Sequence, residues 1–142
     1  RSQEIPVIGN PKYEYRNPKQ NPMSEYKNSK QYDLEERTFL FAKSVRTLVR
    51  KIPKDIPKVE DSKQVVRASG SVGANYIEAN EALSKKDFVM RIKISRKESK
   101  ESRYWLRLLY IEDDELNSEC QALVKEATEL MNIFGAILQK SK

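Results

Sequence analysis

From Asp33 onward the apolar residues return every three or four positions, the spacing of one face of an α-helix. Phe39, Ala42, Val45, Val49 and Ile52 define a first helix, and Asp33 with Glu36 three residues on forms a capping box at its start. Pro53 and Pro57, in IPKDIPK, predict its end and a turn. Val65, Ala68, Ser69, Val72, Tyr76, Ala79 and Leu83 share one face of a second helix that begins near Asp61 or Ser62. Ser84 and Asp87 cap a third, expected to run from Lys85 to about Ile111. The acidic run Glu112–Glu115 suits a turn and the first turn of a fourth helix, where carboxylates meet the positive end of the helix dipole. Leu116, Cys120, Leu123, Ala127, Leu130, Phe134 and Ile137 form that helix's apolar stripe, and Gly135 interrupts it near the end. No segment alternates as a strand does, and no internal repeat occurs.

Four helices with short connections predict an all-α fold, an antiparallel up-down-up-down four-helix bundle over residues 32–142. Residues 1–31 read differently. Pro6, Pro11, Pro18 and Pro22 punctuate a polar stretch that cannot sustain a helix, so an extended or disordered arm is expected. Met23 resembles a natural start, which makes residues 1–22 candidates for upstream or added sequence. An alternative is an arm that docks on a neighbouring subunit through Ile5, Val7, Ile8 and its tyrosines.

The middle of the second helix, ASGSVGAN, is crowded with small residues. Gly70 and Gly73 would each cost about 1 kcal/mol relative to alanine within a helix. That cost is offset where another helix approaches closely. A phosphate-binding loop would need a preceding strand and a Gly-Lys-Ser/Thr ending, and neither is present.

The third helix separates into three faces at 100° per residue. Phe88, Ile92, Ser95, Ser99, Ser102, Leu106 and Leu109 face the bundle, their serines matching the small residues of the second helix. Lys93, Arg96, Lys97, Lys100, Arg103 and Arg107 form a basic face. The third face carries Met90, Ile94, Glu98, Glu101, Trp105 and Leu108. A contiguous apolar strip marks either an interface or the edge of a wide core, and Met90, Ile94, Trp105 and Leu108 are the candidate subunit contacts. Glu98 and Glu101 lie within that strip and need partners if buried. Arg67, Ser71, Asn75 and Glu78 form a polar line on the second helix. Together with Tyr104 these suggest a structural network of Arg67, Asn75, Glu78, Glu98, Glu101 and Tyr104 that fixes register between helices or subunits. A carboxylate-bound magnesium at Glu98 and Glu101 is the enzymatic alternative.

Composition narrows the chemistry. The 142 residues include no histidine and one cysteine, which removes the common zinc sites, Ser-His and Cys-His dyads and intrachain disulfides. Cys120 falls in an apolar stripe and reads as a small buried hydrophobe. No apolar run reaches the roughly 20 residues of a membrane span, so no membrane role and a cytoplasmic location are expected. The net charge is +6, and it is segregated. Residues 85–107 hold nine basic and three acidic residues; residues 112–129 hold seven acidic residues against Lys125 alone. A basic stripe next to an acidic helix fits three readings: a solvated surface, pairing between helices or subunits, or a phosphate-binding face.

The stretches YDLEERTFLFAKSVRTLV and VVRASGSVGANYIEANEALSKKDFVMRIKISRKESKESRYWLRLL resemble the four-helix-bundle proteins encoded in intervening sequences of bacterial 23S ribosomal RNA genes. SVGANYIEA, a following Phe and then E-x-x-E-x-x-Y-W-L carry the resemblance, which covers the chain from about Tyr32. That family is in turn similar to the accessory variability determinant proteins of diversity-generating retroelements. The resemblance implies a bundle assembled into a homopentameric ring. For the retroelement relatives it implies a basic surface that binds nucleic acid and a reverse transcriptase as partner. By position the motif residues are Gly73, Ala74, Asn75, Tyr76, Glu78, Ala79, Phe88, Glu98, Glu101, Tyr104, Trp105 and Leu106, read as packing and register residues. The chain departs from the family pattern at Ser95 and Ser99, where smaller residues are usual.

The expectation is therefore a non-enzymatic homo-oligomer without a cofactor, whose basic surface binds RNA, DNA or a nucleic-acid-bound partner. A structural oligomer whose basic face pairs with the acidic fourth helix is the alternative.

Overall fold

The computed structural model describes residues 33–142, so the expectations for residues 1–31 lie outside the described residues. Those described residues form four α-helices: α1 (Leu34–Lys51), α2 (Ile56–Asn80), α3 (Lys85–Leu108) and α4 (Asp114–Lys140). Among them there is no strand.

Each helix starts at a side-chain cap that satisfies one of its orphan amide N–H groups. Asp33 accepts from the Glu36 N–H at 2.9 Å, and Asp55 from the Lys58 N–H at 2.8 Å. Ser84 accepts from the Asp87 N–H at 3.1 Å, and Asp113 from the Leu116 N–H at 2.8 Å. The Lys58 N–H favours the ionised carboxylate and lowers the pKa of Asp55.

α2 starts earlier than Asp61. Pro57 does not merely close the turn; it lies in the first turn of α2, just after the Asp55 cap. Proline is tolerated there because its missing N–H would have no intrahelical acceptor. α2 also ends sooner than the apolar pattern implied. Leu83 lies beyond it, in the turn before Ser84, and is 99% exposed. α3 stops at Leu108, although Leu109 and Ile111 after it stay buried.

The chain divides into two compact units, at Leu40 and Phe41. In the first, Leu34 and Thr38 are buried, and the Thr38 hydroxyl donates to the Leu34 carbonyl at 2.9 Å. Phe39, expected in the core stripe, is instead exposed.

In the second unit, Phe41–Lys142, α2 packs on α3 and α3 on α4, and Arg46 and Lys51 of α1 reach α2 and α4. To the buried side chains α1 contributes Phe41, Val45, Leu48 and Ile52. α2 contributes Val65, Ala68, Val72, Tyr76 and Ala79, and α3 contributes Ile92 and Leu106. Cys120, Leu123, Ala127, Leu130 and Phe134 come from α4. Each fully buried large aliphatic or aromatic side chain contributes about 1.5–3 kcal/mol. The Tyr76 and Phe134 rings meet at 5.9 Å between centroids, tilted by 51°, within the contact range of aromatic pairs.

The serines of α2 and α3 lie where their spacing predicted. Ser69, Ser95, Ser99 and Ser102 are all buried. The Ser95 hydroxyl donates to the Val72 carbonyl of α2 at 2.9 Å, a bond that requires the two helices to lie close. Ser99 and Ser102 instead donate to carbonyls one turn back in α3, at 2.9 and 2.8 Å. Gly70 serves a different neighbour: a Cβ there would come within 3.3 Å of the Arg46 guanidinium of α1.

Candidate functional site: the two charged faces of α3

The contacts between α2 and α3 pair late residues of one with early residues of the other. Arg67 meets Glu98 and Glu101, Ser95 meets Val72, and Arg91 meets Asn75. Along this seam the charges are held in place.

Arg67 Nη2 donates to Glu101 Oε2 at 2.5 Å and reaches Glu98 Oε1 at 3.4 Å. Glu98 is only 7% exposed, so the guanidinium supplies the partner its burial requires. The hydrogen bond from Arg67 to Glu101, with that to Glu98, raises the pKa of the guanidinium and keeps it charged. The Trp105 indole N–H also donates to Glu101 Oε2, at 3.3 Å. One carboxylate thus anchors an arginine from α2 and an indole from its own helix.

The predicted network is only partly one cluster. Arg67, Glu98 and Glu101 come together, and Trp105 joins them. Asn75 belongs to a second node: it donates to the Ser71 carbonyl at 2.9 Å and accepts from Arg91 Nη1 at 2.9 Å. Arg91 escaped the sequence reading, although its place one turn before Ser95 faces it toward α2. Glu78 is exposed and stands apart from both nodes. The Tyr104 hydroxyl joins neither node. That residue is 55% exposed and sets its ring against Trp105, at 5.1 Å between centroids and 81° between planes.

The basic face also divides. Lys93, Lys97, Lys100 and Arg107 point outward and are exposed. Among the described residues no carboxylate pairs with any of them. Arg96 and Arg103 lean onto α4. Arg103 Nη1 donates to the Thr128 hydroxyl at 3.2 Å. The Arg96 guanidinium passes over Gly135, where an added Cβ would lie 3.9 Å from Nε. In both it is the guanidinium that meets α4, with Arg96 exposed and Arg103 half-buried.

The apolar strip beside this face is half open. Met90 is 46% exposed and Leu108 is 48% exposed, with Ile94 and Trp105 partly buried. Tyr104 falls within the basic face, between Lys93 and Lys97 in angle around the helix.

Elsewhere the chemistry is sparse. A groove of about 310 Å³ between α1 and α4 is lined by Ser44, Thr47, Glu119, Ala122 and Leu123. Its one carboxylate, Glu119, pairs with Lys51 at 3.2 Å. Cys120 is buried, donates to the Leu106 carbonyl at 3.4 Å, and has its pKa pushed up to about 11 by burial. Among the described residues no group of three or more acidic or thiol side chains is arranged to hold a metal ion. No helix among them is long and apolar enough to cross a membrane.

Residues 30–136 match the family model described as 23S rRNA-intervening sequence protein. A solved structure is similar over 73% of this chain and 96% of its own, at 30% identity and a TM-score of 0.64. It is a protein of unknown function of the S23 ribosomal protein family from Bacteroides thetaiotaomicron. No curated protein matches the chain.

Proposed function

Because this chain belongs to the 23S rRNA-intervening sequence protein family, we propose that it is a non-enzymatic, nucleic-acid-binding scaffold. It works as an antiparallel up-down-up-down bundle assembled into a homopentameric ring in the cytoplasm. Its outward basic surface binds RNA or DNA, or docks a nucleic-acid-bound partner such as a reverse transcriptase.

One observation carries this reading. Lys93, Lys97, Lys100 and Arg107 stand exposed on one face of α3 with no acidic partner among the described residues. Four such cations on a rigid helix repel one another, and a polyanion relieves that repulsion by neutralising them and releasing its counterions. Arg96 and Arg103 flank them. The apolar strip of Met90, Ile94, Trp105 and Leu108 supports self-association, since a contiguous apolar strip favours an interface. The ring and the partner class are proposed from the sequence resemblance carried by SVGANYIEA and E-x-x-E-x-x-Y-W-L.

The test is the mass of the protein in solution by light scattering, with and without a mixed RNA pool, at low and moderate salt. A particle of about five subunits that retains RNA at moderate salt is expected. A paired charge reversal, Lys97→Glu with Lys100→Glu, should weaken binding and flatten its dependence on salt. The same oligomer with no RNA at either salt would leave a purely structural assembly. A monomer would assign the apolar strip to the edge of the internal core.

A further inference from the structure

Tyr104 lies among the outward cations. At 3.6 residues per turn it is about 20° around the helix from Lys93 and Lys97, and about 40° from Lys100. Lys93, Lys100 and Arg107 follow one another at seven-residue intervals, about 10.5 Å apart along the axis, with Lys97 between the first two. The row of charge therefore runs past the tyrosine on both sides.

The ring is also held. Trp105 stands edge-on to it at 5.1 Å and 81°. Trp105 is fixed through its indole N–H to Glu101, and Glu101 is fixed by Arg67. Packing thus orients a ring that remains 55% exposed. A buried tyrosine would be core, and a freely rotating one would be ordinary surface. An oriented aromatic ring within a row of cations that no carboxylate answers has the form of a stacking platform. Bases stack on such rings while the cations follow the phosphates. Duplex bases stack on each other and offer no free face, so the ligand this arrangement fits is an unpaired strand.

We propose that Tyr104 is a base-stacking platform and that the basic face of α3 selects single-stranded nucleic acid. This rests on the nucleic-acid-binding reading above and specifies its ligand class. RNA and DNA present the same stacking faces and phosphates, so the strand's sugar is left to the test.

The experiment is fluorescence anisotropy on the full chain with labelled strands of about 12 nucleotides, within the usual site sizes for single-strand binders. The probes are oligo-uridine, oligo-thymidine, an abasic ribose-phosphate strand of equal length, and a duplex. The wild type should bind both single strands more tightly than the abasic strand or the duplex; equal affinity for RNA and DNA means the 2′-hydroxyl is not read. Tyr104→Ala should weaken the base-bearing strands by roughly 5- to 150-fold, the range for removing one stacked base–ring pair, and leave the abasic strand unchanged. Tyr104→Phe should bind as the wild type does, because the ring and not the hydroxyl stacks. Its mass by light scattering, and that of Tyr104→Ala, should equal the wild type's.

Unchanged affinity in Tyr104→Ala while the wild type binds would overturn the platform and leave the basic surface standing. So would tighter binding of the duplex, or a change of oligomer in Tyr104→Ala, which would make the tyrosine an assembly residue. If the wild type binds none of the probes at either salt, the basic-surface reading fails and the platform falls with it.

Discussion

α3 presents charge in two opposite ways. Toward α2, Arg91, Glu98 and Glu101 are each met by a named partner, and Glu98 is nearly buried. Away from the core, Lys93, Lys97, Lys100 and Arg107 have no carboxylate partner among the described residues and are exposed. The same helix supplies both sets a residue or two apart in sequence. Turning 100° per residue separates them, and only the inner set has a neighbouring helix to answer it. Charges that hold a fold are matched within the chain; charges left in excess on one face are available to something outside it. The two sides should respond to mutation in opposite ways, the inner through stability and the outer through binding.

The largest stability effect should come from the closest point of the seam. Ser95→Leu forces a larger side chain into a site with no exposure and removes the bond to the Val72 carbonyl. Overpacking and the broken hydrogen bond together should cost about 2–4 kcal/mol, read as a fall in the urea midpoint. Ser95→Ala, which removes the hydroxyl without adding bulk, should cost about 1 kcal/mol. Equal losses in the two variants would show that the hydroxyl, and not the closeness of the helices, sets the requirement.

Arg67→Ala should cost less. It leaves Glu98 nearly buried without its guanidinium, but Arg67 is itself half exposed, so solvent screens part of the pair. A loss of about 1 kcal/mol is expected. A double-mutant cycle with Glu101→Gln should be non-additive, because both substitutions break the same ion pair. Full additivity would mean that Arg67 and Glu101 do not act together in solution.

The seam was legible because helix periodicity places residues on faces. Val65, Ala68, Ser69, Val72, Tyr76 and Ala79 are all buried, as their spacing required, and so are Ile92, Ser95, Ser99, Ser102 and Leu106. The Arg67–Glu98–Glu101 cluster followed from the need of an acidic residue in an apolar strip for a cation. The phase of α1 was harder. Phe39 and Phe41 flank Leu40, and with apolar residues so dense two phases fit the spacing; Phe41 is the buried one. Pro57 misled because proline breaks helices in their interiors yet starts them at their first turn. The Arg91–Asn75 pair was missed because the relative stagger of two helices is a tertiary fact, visible only once the turn at Asn80–Ser84 fixes which residues stand opposite. Tyr104 was placed with the hydrogen-bonding residues because it has a hydroxyl, whereas its contact is made by its ring.

On its other flank α3 meets Cys120 of α4, and this contact sharpens the comparison through pH. Burial pushes the thiol pKa up to about 11, above its ordinary value near 9. The unfolded chain therefore releases this proton at a lower pH than the folded chain does. Its contribution to stability is complete below about pH 9 and declines as pH rises toward about 11. Cys120→Ala should flatten the stability profile across that window, measured by denaturant unfolding at several pH values. An identical alkaline slope in the variant would place the titrating group elsewhere.

The smallest stability effect belongs to the outer face, and there the smallness is the informative result. Lys93→Ala and Lys100→Ala remove exposed side chains that make no ion pair among the described residues, so each should shift stability by no more than about 0.5 kcal/mol. Removing a repelled cation can even stabilise slightly at low salt, and the sign should fade as salt screens the row. Binding should not share that indifference. For a single strand, each phosphate that a variant no longer neutralises should reduce the slope of log affinity against log salt by about 0.7. A variant with unchanged unfolding and a shallower salt slope separates the outer face from the inner as cleanly as any measurement can. A Lys100→Ala protein that unfolds markedly earlier would show instead that this lysine is committed to the fold or to a neighbouring subunit, and the division drawn around α3 would have to move.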